Sequence, residues 1–141
     1  MIISTKEIEV RYAETDQMGV VYHANYLVWM EVGRTQLIKD LGFSYASLES
    51  EGYISPVIDL QIAYKKPLRY GETATIKTWI GYYDGFRSVY EYEVFTPNGD
   101  LAITASSTHV CVKKESFKPI SFRKLFPDWH EKYLHAAKKE D

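Results

Sequence analysis

The alternation of apolar and polar residues along the chain changes period near residue 25. Ile8, Val10 and Tyr12 alternate with charged residues, and this period of two predicts a half-buried strand. From Tyr26 onward the apolar residues recur at helical spacing, which predicts a long amphipathic helix. Its apolar positions are Leu27, Met30, Leu37, Ile38 and Leu41. The residues between strand and helix, through about Ala24, are rich in turn formers and predict a loop.

The ends of this helix are marked by residues that commonly begin or stop helices. Asn25 is predicted to be the N-cap, and Gly42 follows the last apolar position as the C′ residue. Gly33 in the interior costs about 1 kcal/mol relative to alanine, so it predicts a close approach of another backbone. Ser44 is predicted to cap a second, short helix that ends before Gly52.

Four long runs of β-type sequence fill the second half of the chain. They cover roughly Ser55–Lys66, Glu72–Tyr83, Phe86–Phe95 and Leu101–Lys113. Asp84-Gly85 predicts a hairpin between the middle pair, and the turn formers of 97–100 predict the next turn. With Pro67 to Gly71 joining the first pair, the runs are predicted to form an antiparallel meander. The tail is predicted to become helical after Pro127, through to Lys138.

These elements predict an α+β fold in which an antiparallel sheet of about five strands wraps one long central helix. The predicted domain spans residues 1–141 as a single unit with a C-terminal helical tail. One sheet on one helix leaves a further face uncovered, and pairing of two copies would cover it. The alternative architecture is another helix-plus-curved-sheet fold, such as a cone-shaped binder of small ligands.

The composition is that of a globular chain without a strongly charged face. Hydrophobic residues make up 45% and charged residues 26%, and the net charge of −2 argues against a nucleic-acid partner. No apolar run reaches the roughly 18–20 residues of a membrane span, and the N-terminus lacks a signal-peptide core. A cytoplasmic location without membrane attachment is therefore expected. The single cysteine, Cys111, excludes an intrachain disulfide and a zinc site built from thiolates.

Several catalytic classes lack their motifs in this sequence. The chain has no Gly-x-Ser-x-Gly elbow, glycine-rich phosphate loop or dinucleotide fingerprint. His130 and His135 are five residues apart, whereas a helical zinc site needs a spacing of four, so we expect a solvated tail helix. His109 and Cys111 point to one face of a strand. We interpret them as a core cysteine beside a hydrogen-bonded histidine, in preference to a nucleophile and its base.

The loop before the long helix carries the candidate chemistry. Asp16 supplies a carboxylate, Gly19 a flexible turn, and His23 lies directly before the helix. The N-terminus of a helix offers unpaired backbone N–H groups to a developing oxyanion. A carboxylate beside such groups is suited to acyl transfer, where it acts as base or as nucleophile.

The same loop resembles a known family signature. The ungapped run from Tyr12 to Tyr26 is followed by Trp29-Met30-Glu31 and Gly33-Arg34. Together these residues closely resemble the signature of hot-dog-fold acyl-CoA thioesterases of the 4-hydroxybenzoyl-CoA thioesterase class. Histidine rather than tyrosine at position 23 is typical of the YbgC-like branch of that class. The resemblance implies a hot-dog fold and hydrolysis of acyl-CoA to the free acid and CoA.

The resemblance also implies roles for individual residues. Asp16 falls on the family's catalytic aspartate, which acts either as nucleophile or as general base for water. The backbone N–H of His23 would polarise the thioester carbonyl, while its imidazole either assists the water or leaving thiol or orders the loop. Asn25 is interpreted as a helix cap in preference to a substrate contact. The substrate-binding candidates of the loop are Gly19, Val20, Tyr22 and Asn25.

The rest of the predicted substrate site comes from strand ends and from a second subunit. In this family the acyl pocket lies at a subunit interface, which implicates Val57 and Asp59 from the strands of the other subunit. Basic residues near strand ends are candidates to hold the CoA phosphates. They are Lys65, Lys66, Arg69, Arg87, Lys113 and Lys114, with Lys65, Arg69 and Arg87 preferred. A homodimer or homotetramer is expected, acting on acyl-CoA or an acyl-carrier thioester without a metal or redox cofactor.

Two other functions are compatible with this fold. A hot-dog hydroxyacyl dehydratase pairs a histidine with an acid across the site, whereas Asp16 and His23 flank one loop. A non-catalytic acyl-thioester-binding module would be favoured by loss of the carboxylate, and Asp16 is present. The preferred acyl group is not readable from the sequence, because the depth of the pocket depends on packing across the interface.

Overall fold

The structure is a computed structural model that describes residues 1–139; the last two residues of the predicted domain, 140 and 141, lie outside the described residues. The strands are β1 (Ser4–Glu9), β2 (Tyr53–Ile54), β3 (Val57–Tyr64), β4 (Thr73–Tyr83), β5 (Arg87–Phe95), β6 (Leu101–Val110) and β7 (Val112–Lys113). The α-helices are α1 (Asn25–Asp40), α2 (Tyr45–Ser50), α3 (Phe122–Leu125) and α4 (Pro127–Ala136), and Tyr12–Glu14 forms a 3-10 turn.

The five long strands form one antiparallel sheet in the order β1-β4-β5-β6-β3, while β2 pairs with β7. Alternate residues of β4 are buried, and Ile76 and Ile80 belong to the core under α1. This alternation follows from the period of two along a strand with one covered face. The predicted α+β architecture, a five-stranded antiparallel sheet against a long helix, is confirmed.

The predicted meander is wrong at its first strand. β3 pairs with β6, with Tyr64 opposite Ile103, while the edge of β4 is taken by β1, with Ile8 opposite Ala74. Residues 65–72 therefore cross the end of the sheet instead of forming a hairpin. Alternating hydrophobicity specifies which face of a strand is buried but not which strand lies beside it. The hairpin at Asp84-Gly85 and the turn before β6 are confirmed.

Helix α1 packs on the sheet through the predicted apolar stripe. The stripe residues Met30, Leu37, Ile38 and Leu41 are buried. Leu27, the first residue of the predicted stripe, is 39% exposed. The close approach at Gly33 is made by side chains and not by another backbone as predicted, since a Cβ there would lie 2.5 Å from the Thr78 Oγ1 and 3.2 Å from the Ile76 Cγ2.

The roles predicted for Gly42 at the end of α1 and for Ser44 at the start of α2 are confirmed. Gly42 has a φ of +93°, and its N–H donates to the Lys39 carbonyl at 2.9 Å. The N–H of Phe43 donates to the Ile38 carbonyl at 3.0 Å, which completes a Schellman motif. Ser44 caps α2, because its side chain accepts a hydrogen bond from the N–H three residues later.

The first strand ends earlier than its alternation predicts. β1 stops at Glu9, and Tyr12 lies in the 3-10 turn with 78% of its surface exposed. The chain turns here because the Glu14 carboxylate accepts a hydrogen bond from the Arg11 N–H at 2.8 Å. Tyr12 is therefore not part of the half-buried strand.

The C-terminal helix is not the solvated tail that the sequence predicted. Trp129, His130 and Tyr133 are buried, and the His130 Nδ1 lies 2.7 Å from the Tyr83 hydroxyl. Aromatic residues four apart give α4 an apolar face, which covers the end of the sheet. The helix ends at Ala136, before its predicted end.

The interpretation of His109 and Cys111 as core residues is confirmed. Both are buried, and the ring of His109 is hydrogen-bonded through both nitrogens. Burial raises the pKa of the Cys111 thiol to about 12, so the thiolate is disfavoured at neutral pH. None of the helices within residues 1–139 is both long and apolar enough to cross a membrane.

Candidate active site

The loop between β1 and α1 is a closed turn held by backbone hydrogen bonds. Thr15 and Val21 pair as an antiparallel bridge that closes the loop of residues 16–20. The N–H of Asp16 donates to the Val20 carbonyl at 2.9 Å, and the N–H of Gly19 donates to the Asp16 carbonyl at 3.0 Å. Gly19 has a φ of +79°, a conformation that glycine adopts without strain. The loop therefore presents Asp16 from a fixed backbone.

The Asp16 carboxylate is partly engaged in its own turn. Its Oδ1 accepts a hydrogen bond from the Met18 N–H at 2.8 Å, and the side chain is half-exposed. Oδ2 accepts no hydrogen bond from the part of the chain that the structure describes. One oxygen thus fixes the orientation of the carboxylate, and the other is available to water or a substrate carbonyl.

Glu14 connects this loop to α1. The residue is 5% exposed, and its Oε2 accepts a hydrogen bond from the Trp29 Nε1 at 2.7 Å. Its carbonyl accepts hydrogen bonds from the Tyr22 N–H and the Asn25 Nδ2, both at 2.8 Å. Burial alone raises the pKa of Glu14, but the hydrogen bonds from Trp29 and Arg11 together bring the pKa below its ordinary value. A buried, ionised carboxylate therefore holds the loop against the helix.

Sequence reasoning gave Glu14 no role. The residue lies inside the run that carries the family resemblance, but its partner Trp29 is fifteen positions away on the next helix. A spacing of fifteen across a loop is not a recognisable local pattern. Its position within the run that carries the resemblance was the one signal that pointed to it.

The start of α1 carries unpaired backbone donors. The N–H groups of His23 and Ala24 donate to no acceptor within residues 1–139, and both precede the first helical residue. The His23 carbonyl accepts a hydrogen bond from the Tyr64 hydroxyl at 3.1 Å, which fixes this peptide. Unpaired N–H groups at the positive end of a helix attract an oxyanion.

Asn25 is not the N-cap that the sequence predicted. It is the first helical residue, and its side chain donates to the Glu14 carbonyl, whereas an N-cap side chain accepts from the helix backbone. Ala24 occupies the cap position with helical dihedral angles. The side chain of Asn25 bonds to the neighbouring loop instead of to its own helix. A capping rule based on local sequence does not consider such a contact.

Two of the predicted CoA-binding cations lie at the same end of the sheet as Asp16. The Val21 N–H donates to the Leu68 carbonyl at 2.8 Å, so the crossover of residues 65–72 runs beside the loop. Lys65 and Arg69 lie on this crossover with exposed side chains. The neighbouring Lys66 is paired with Asp100 at 3.1 Å.

The structure does not bring the remaining predicted residues to Asp16 within one chain. Val57 is opposite His109, and Arg87 is opposite Val110, at the other end of the sheet. The seven-residue step from Val57 to Tyr64 corresponds to about 23 Å along β3. Asp59 also lies in the first half of this strand. All three residues are exposed.

A family model described as the thioesterase-like superfamily matches residues 10–132, which contain the loop, α1 and every strand except β1. The chain belongs to this superfamily. It is a thioester hydrolase of the hot-dog fold, and its likeness to the YbgC-like branch is confirmed.

Similar proteins cover most of the chain. YneP of Bacillus subtilis (strain 168), which bears the name of an acyl-CoA thioesterase, is 67% identical over 138 residues, 98% of this chain and 100% of YneP. The acyl-CoA thioester hydrolase YbgC of Escherichia coli O157:H7 is 30% identical over 112 residues, 79% of this chain and 84% of YbgC. A crystal structure of DHNA-CoA thioesterase from Staphylococcus aureus matches with a TM-score of 0.94 and 53% identity, covering 96% of this chain and 91% of that one.

Proposed function

We propose that the enzyme hydrolyses acyl-CoA thioesters with Asp16 as the reacting carboxylate and the N–H groups of His23 and Ala24 as the oxyanion site. A thioester carbonyl is already activated, so a carboxylate, a positioned water and one or two donors suffice. Asp16 acts either as general base for water or as nucleophile, forming a mixed anhydride that water then cleaves. Neither route needs a metal or a redox cofactor.

The observation that carries this proposal is the rigid connection between the carboxylate and the donors. Glu14 bonds to Trp29 on α1 through its side chain and to Tyr22 and Asn25 through its carbonyl. Asp16 lies two residues after Glu14 in the same loop. Pre-organisation of charge and donors is what stabilises a developing oxyanion without a reorganisation cost at the moment of reaction.

A homodimer formed through β3 would complete the site. β3 is an edge strand whose residues are nearly all exposed, including Val57, Ile58, Leu60 and Tyr64. A long apolar edge is a template for pairing with another strand unless it is covered. Antiparallel pairing of two β3 strands would place Val57 and Asp59 of a second copy beside Tyr64 and His23 of the first. This arrangement supports the predicted interfacial acyl pocket.

The same arrangement supports a divided site for the CoA phosphates. Lys65 and Arg69 would approach them from the chain that supplies Asp16. Arg87, at the other end of the sheet, could contribute only from a second copy. The unpaired side chains of Lys65 and Arg69 favour these two as the main contacts.

The relatives suggest a first substrate to test. The Staphylococcus aureus protein of 53% identity is a DHNA-CoA thioesterase, and a relative from Thermosynechococcus vestitus that is 27% identical is a 1,4-dihydroxy-2-naphthoyl-CoA hydrolase. We infer that an aromatic acyl-CoA of this kind is hydrolysed faster than a short aliphatic acyl-CoA.

The test is thiol release from short, long and aromatic acyl-CoA thioesters by wild-type enzyme and Asp16→Asn. We expect turnover of the aromatic members to fall about 10²- to 10⁴-fold in Asp16→Asn, because the amide is neither a base nor a nucleophile. Asp128→Asn, an exposed aspartate on α4, is the matched control and should retain full activity. Undiminished turnover in Asp16→Asn would refute the role of this residue. Binding of acyl-CoA without thiol release by the wild type would favour the binding module.

A further inference from the structure

A cavity lies along the C-terminal half of α1, away from the Asp16 loop. Its volume is about 460 Å³, and it is bordered by α1, α2, α3 and α4, the starts of β3 and β5 and the end of β6. Its wall includes aromatic rings and one cation: Arg34, Tyr45, Tyr90, His109, Trp129 and Tyr133. A cavity of this size that combines several aromatic rings with polar side chains is suited to a flat organic ligand that carries polar groups.

A chain of hydrogen bonds runs from Arg34 into the sheet beside this cavity. The Arg34 Nη1 donates to the Tyr92 hydroxyl at 3.0 Å. Tyr92 and the Ser107 Oγ are 2.7 Å apart, and the Ser107 Oγ is 2.9 Å from the His109 Nε2. The His109 Nδ1 lies 3.1 Å from the Ser55 carbonyl.

The Ser55 carbonyl and a neutral His109 determine the direction of every hydrogen bond in this chain. Arginine can only donate, and a carbonyl can only accept. Tyr92 therefore donates to Ser107, Ser107 donates to the Nε2 of His109, and the Nδ1–H of His109 donates to Ser55. The chain is satisfied with a neutral His109, in keeping with burial, which lowers the pKa of this histidine to about 4.

Arg34 itself is left with unused donors. Only one of its five N–H groups is used by a described residue, and no carboxylate among residues 1–139 lies within ion-pair distance of it. The side chain is half-buried. Its contact with Tyr92 holds the guanidinium at the cavity wall, so its free donors are available to an acceptor oxygen of a ligand.

The carboxylates on the same wall restrict the kind of ligand oxygen that can bind to Arg34. Glu31 and Glu49 also line the cavity, and they would repel a ligand that carries a full carboxylate there. A phenolic hydroxyl can accept from Arg34 and still donate to a neighbouring acceptor. The aromatic walls favour a ring as the bearer of that hydroxyl.

The mouth of the cavity is formed by Ser55, Pro56 and Val57, at the start of the exposed edge strand β3. Within one chain this mouth is about 23 Å along β3 from Tyr64, which contacts His23. In the dimer proposed above, antiparallel β3 strands would bring the mouth beside the His23 peptide of the second copy. A thioester bound there would direct its acyl group into this cavity.

We propose that this cavity is the acyl specificity pocket, that it takes hydroxylated aromatic acyl groups, and that Arg34 binds the ring hydroxyl. The inference rests on the proposed function and adds the residue that distinguishes substrates. Arg34 is a specificity residue here, with no part in cleavage of the thioester bond. A hydrogen bond to a charged donor is expected to contribute about 10- to 100-fold in selectivity.

The experiment compares 1,4-dihydroxy-2-naphthoyl-CoA with 2-naphthoyl-CoA, which has the same rings without hydroxyls. We expect wild-type kcat/KM to favour the hydroxylated ester about 10- to 100-fold, and Arg34→Met to reduce that ratio to near one. The rate on 2-naphthoyl-CoA should stay within about threefold, since methionine keeps the length of the side chain. Arg123→Met, an exposed arginine on α3, is the control and should keep the wild-type ratio. An equal loss on both esters in Arg34→Met would overturn the proposal.

A second variant and a binding measurement make the test independent of folding defects and of turnover. Thr35→Phe narrows the cavity from an exposed position, so it should exclude the naphthoyl esters and spare acetyl-CoA. Binding of 1-naphthol, which carries a ring hydroxyl and no carboxylate, followed by tryptophan fluorescence, should persist in Asp16→Asn and weaken about 10-fold or more in Arg34→Met. If no thioester is hydrolysed but this binding pattern holds, the proposed function is refuted and the ligand-binding pocket is not. Binding unaffected by both Arg34→Met and Thr35→Phe would refute the pocket.

Discussion

The buried His109 predicts a specific dependence of stability on pH. The side chain is 3% exposed, and its neutral tautomer is fixed by hydrogen bonds at both ring nitrogens. Burial and the positive charge of Arg34 lower the pKa of His109 to about 4 in the folded chain, against about 6.5 for an unperturbed histidine. The perturbation to test is a change from pH 7 to pH 5, which protonates this residue in the unfolded chain only.

The sign and size of the effect follow from proton linkage. The folded-state pKa is depressed, so the neutral histidine is favoured by folding; its full contribution is present above about pH 6.5 and is lost as the pH falls toward 4. With these two pKa values, the free energy of unfolding should drop by about 2 kcal/mol between pH 7 and pH 5. The lowered pKa values of Glu14 and Asp84 act mainly below this window, because carboxylates titrate at lower pH in the unfolded chain.

The assay is urea unfolding of wild type and His109→Gln at pH 7 and pH 5. Glutamine can keep one hydrogen bond but does not titrate, so the variant should be less stable at pH 7 and lose about 2 kcal/mol less on acidification. NMR titration of the His109 ring checks the cause directly, since the ring should remain neutral at pH 5. An equal loss of stability in both proteins, or a ring that titrates near pH 6.5, would contradict the reasoning.

Two further substitutions test the packing that holds the site. Gly33→Ala should destabilise the enzyme by about 1–3 kcal/mol, because the new Cβ meets the Thr78 Oγ1 at 2.5 Å; Thr78→Ala in the same chain should restore most of the loss in thermal unfolding. Glu14→Gln should cost about 1–3 kcal/mol and reduce kcat/KM, since it weakens the hydrogen bond from the Trp29 Nε1 and removes the charge that orders the loop. Full activity and stability in Glu14→Gln would show that the loop is held by other contacts.

The elements with short-range signals were predictable from the sequence. Gly42, Ser44 and Asp84-Gly85 each act within four residues, and each has the predicted role. Asp16 and His23 belong to one contiguous run, so their placement near the start of α1 followed from the same local reading. Asn25 shows the limit of this approach, because its side chain bonds to a loop residue eleven positions earlier instead of to its own helix.

The features that escaped prediction depend on contacts between distant parts of the chain. The burial of α4 rests on pairs such as Tyr83 and His130, 47 residues apart, and the wall of the cavity along α1 rests on Arg34 and Tyr92, 58 residues apart. Strand β3 pairs with β6, although other strands have the same alternation of apolar and polar residues. No pattern within one element specifies these partners, since many pairings bury the same faces.

The two parts of the proposed site, the backbone donors and Arg34, lie at different positions along helix α1. The length of the helix keeps them apart within one chain. The unpaired donors lie at its start, and Arg34 lies nine residues after Asn25, about 14 Å along the helix axis. A rigid helix cannot bring its two ends together. An acyl group bound at His23 therefore cannot reach the cavity beside Arg34 in the same chain. The antiparallel contact through β3 proposed above would solve this by symmetry, because it would place the start of each strand beside the end of its partner. The distance of Val57, Asp59 and Arg87 from Asp16 within one chain is therefore what a site shared by two copies requires.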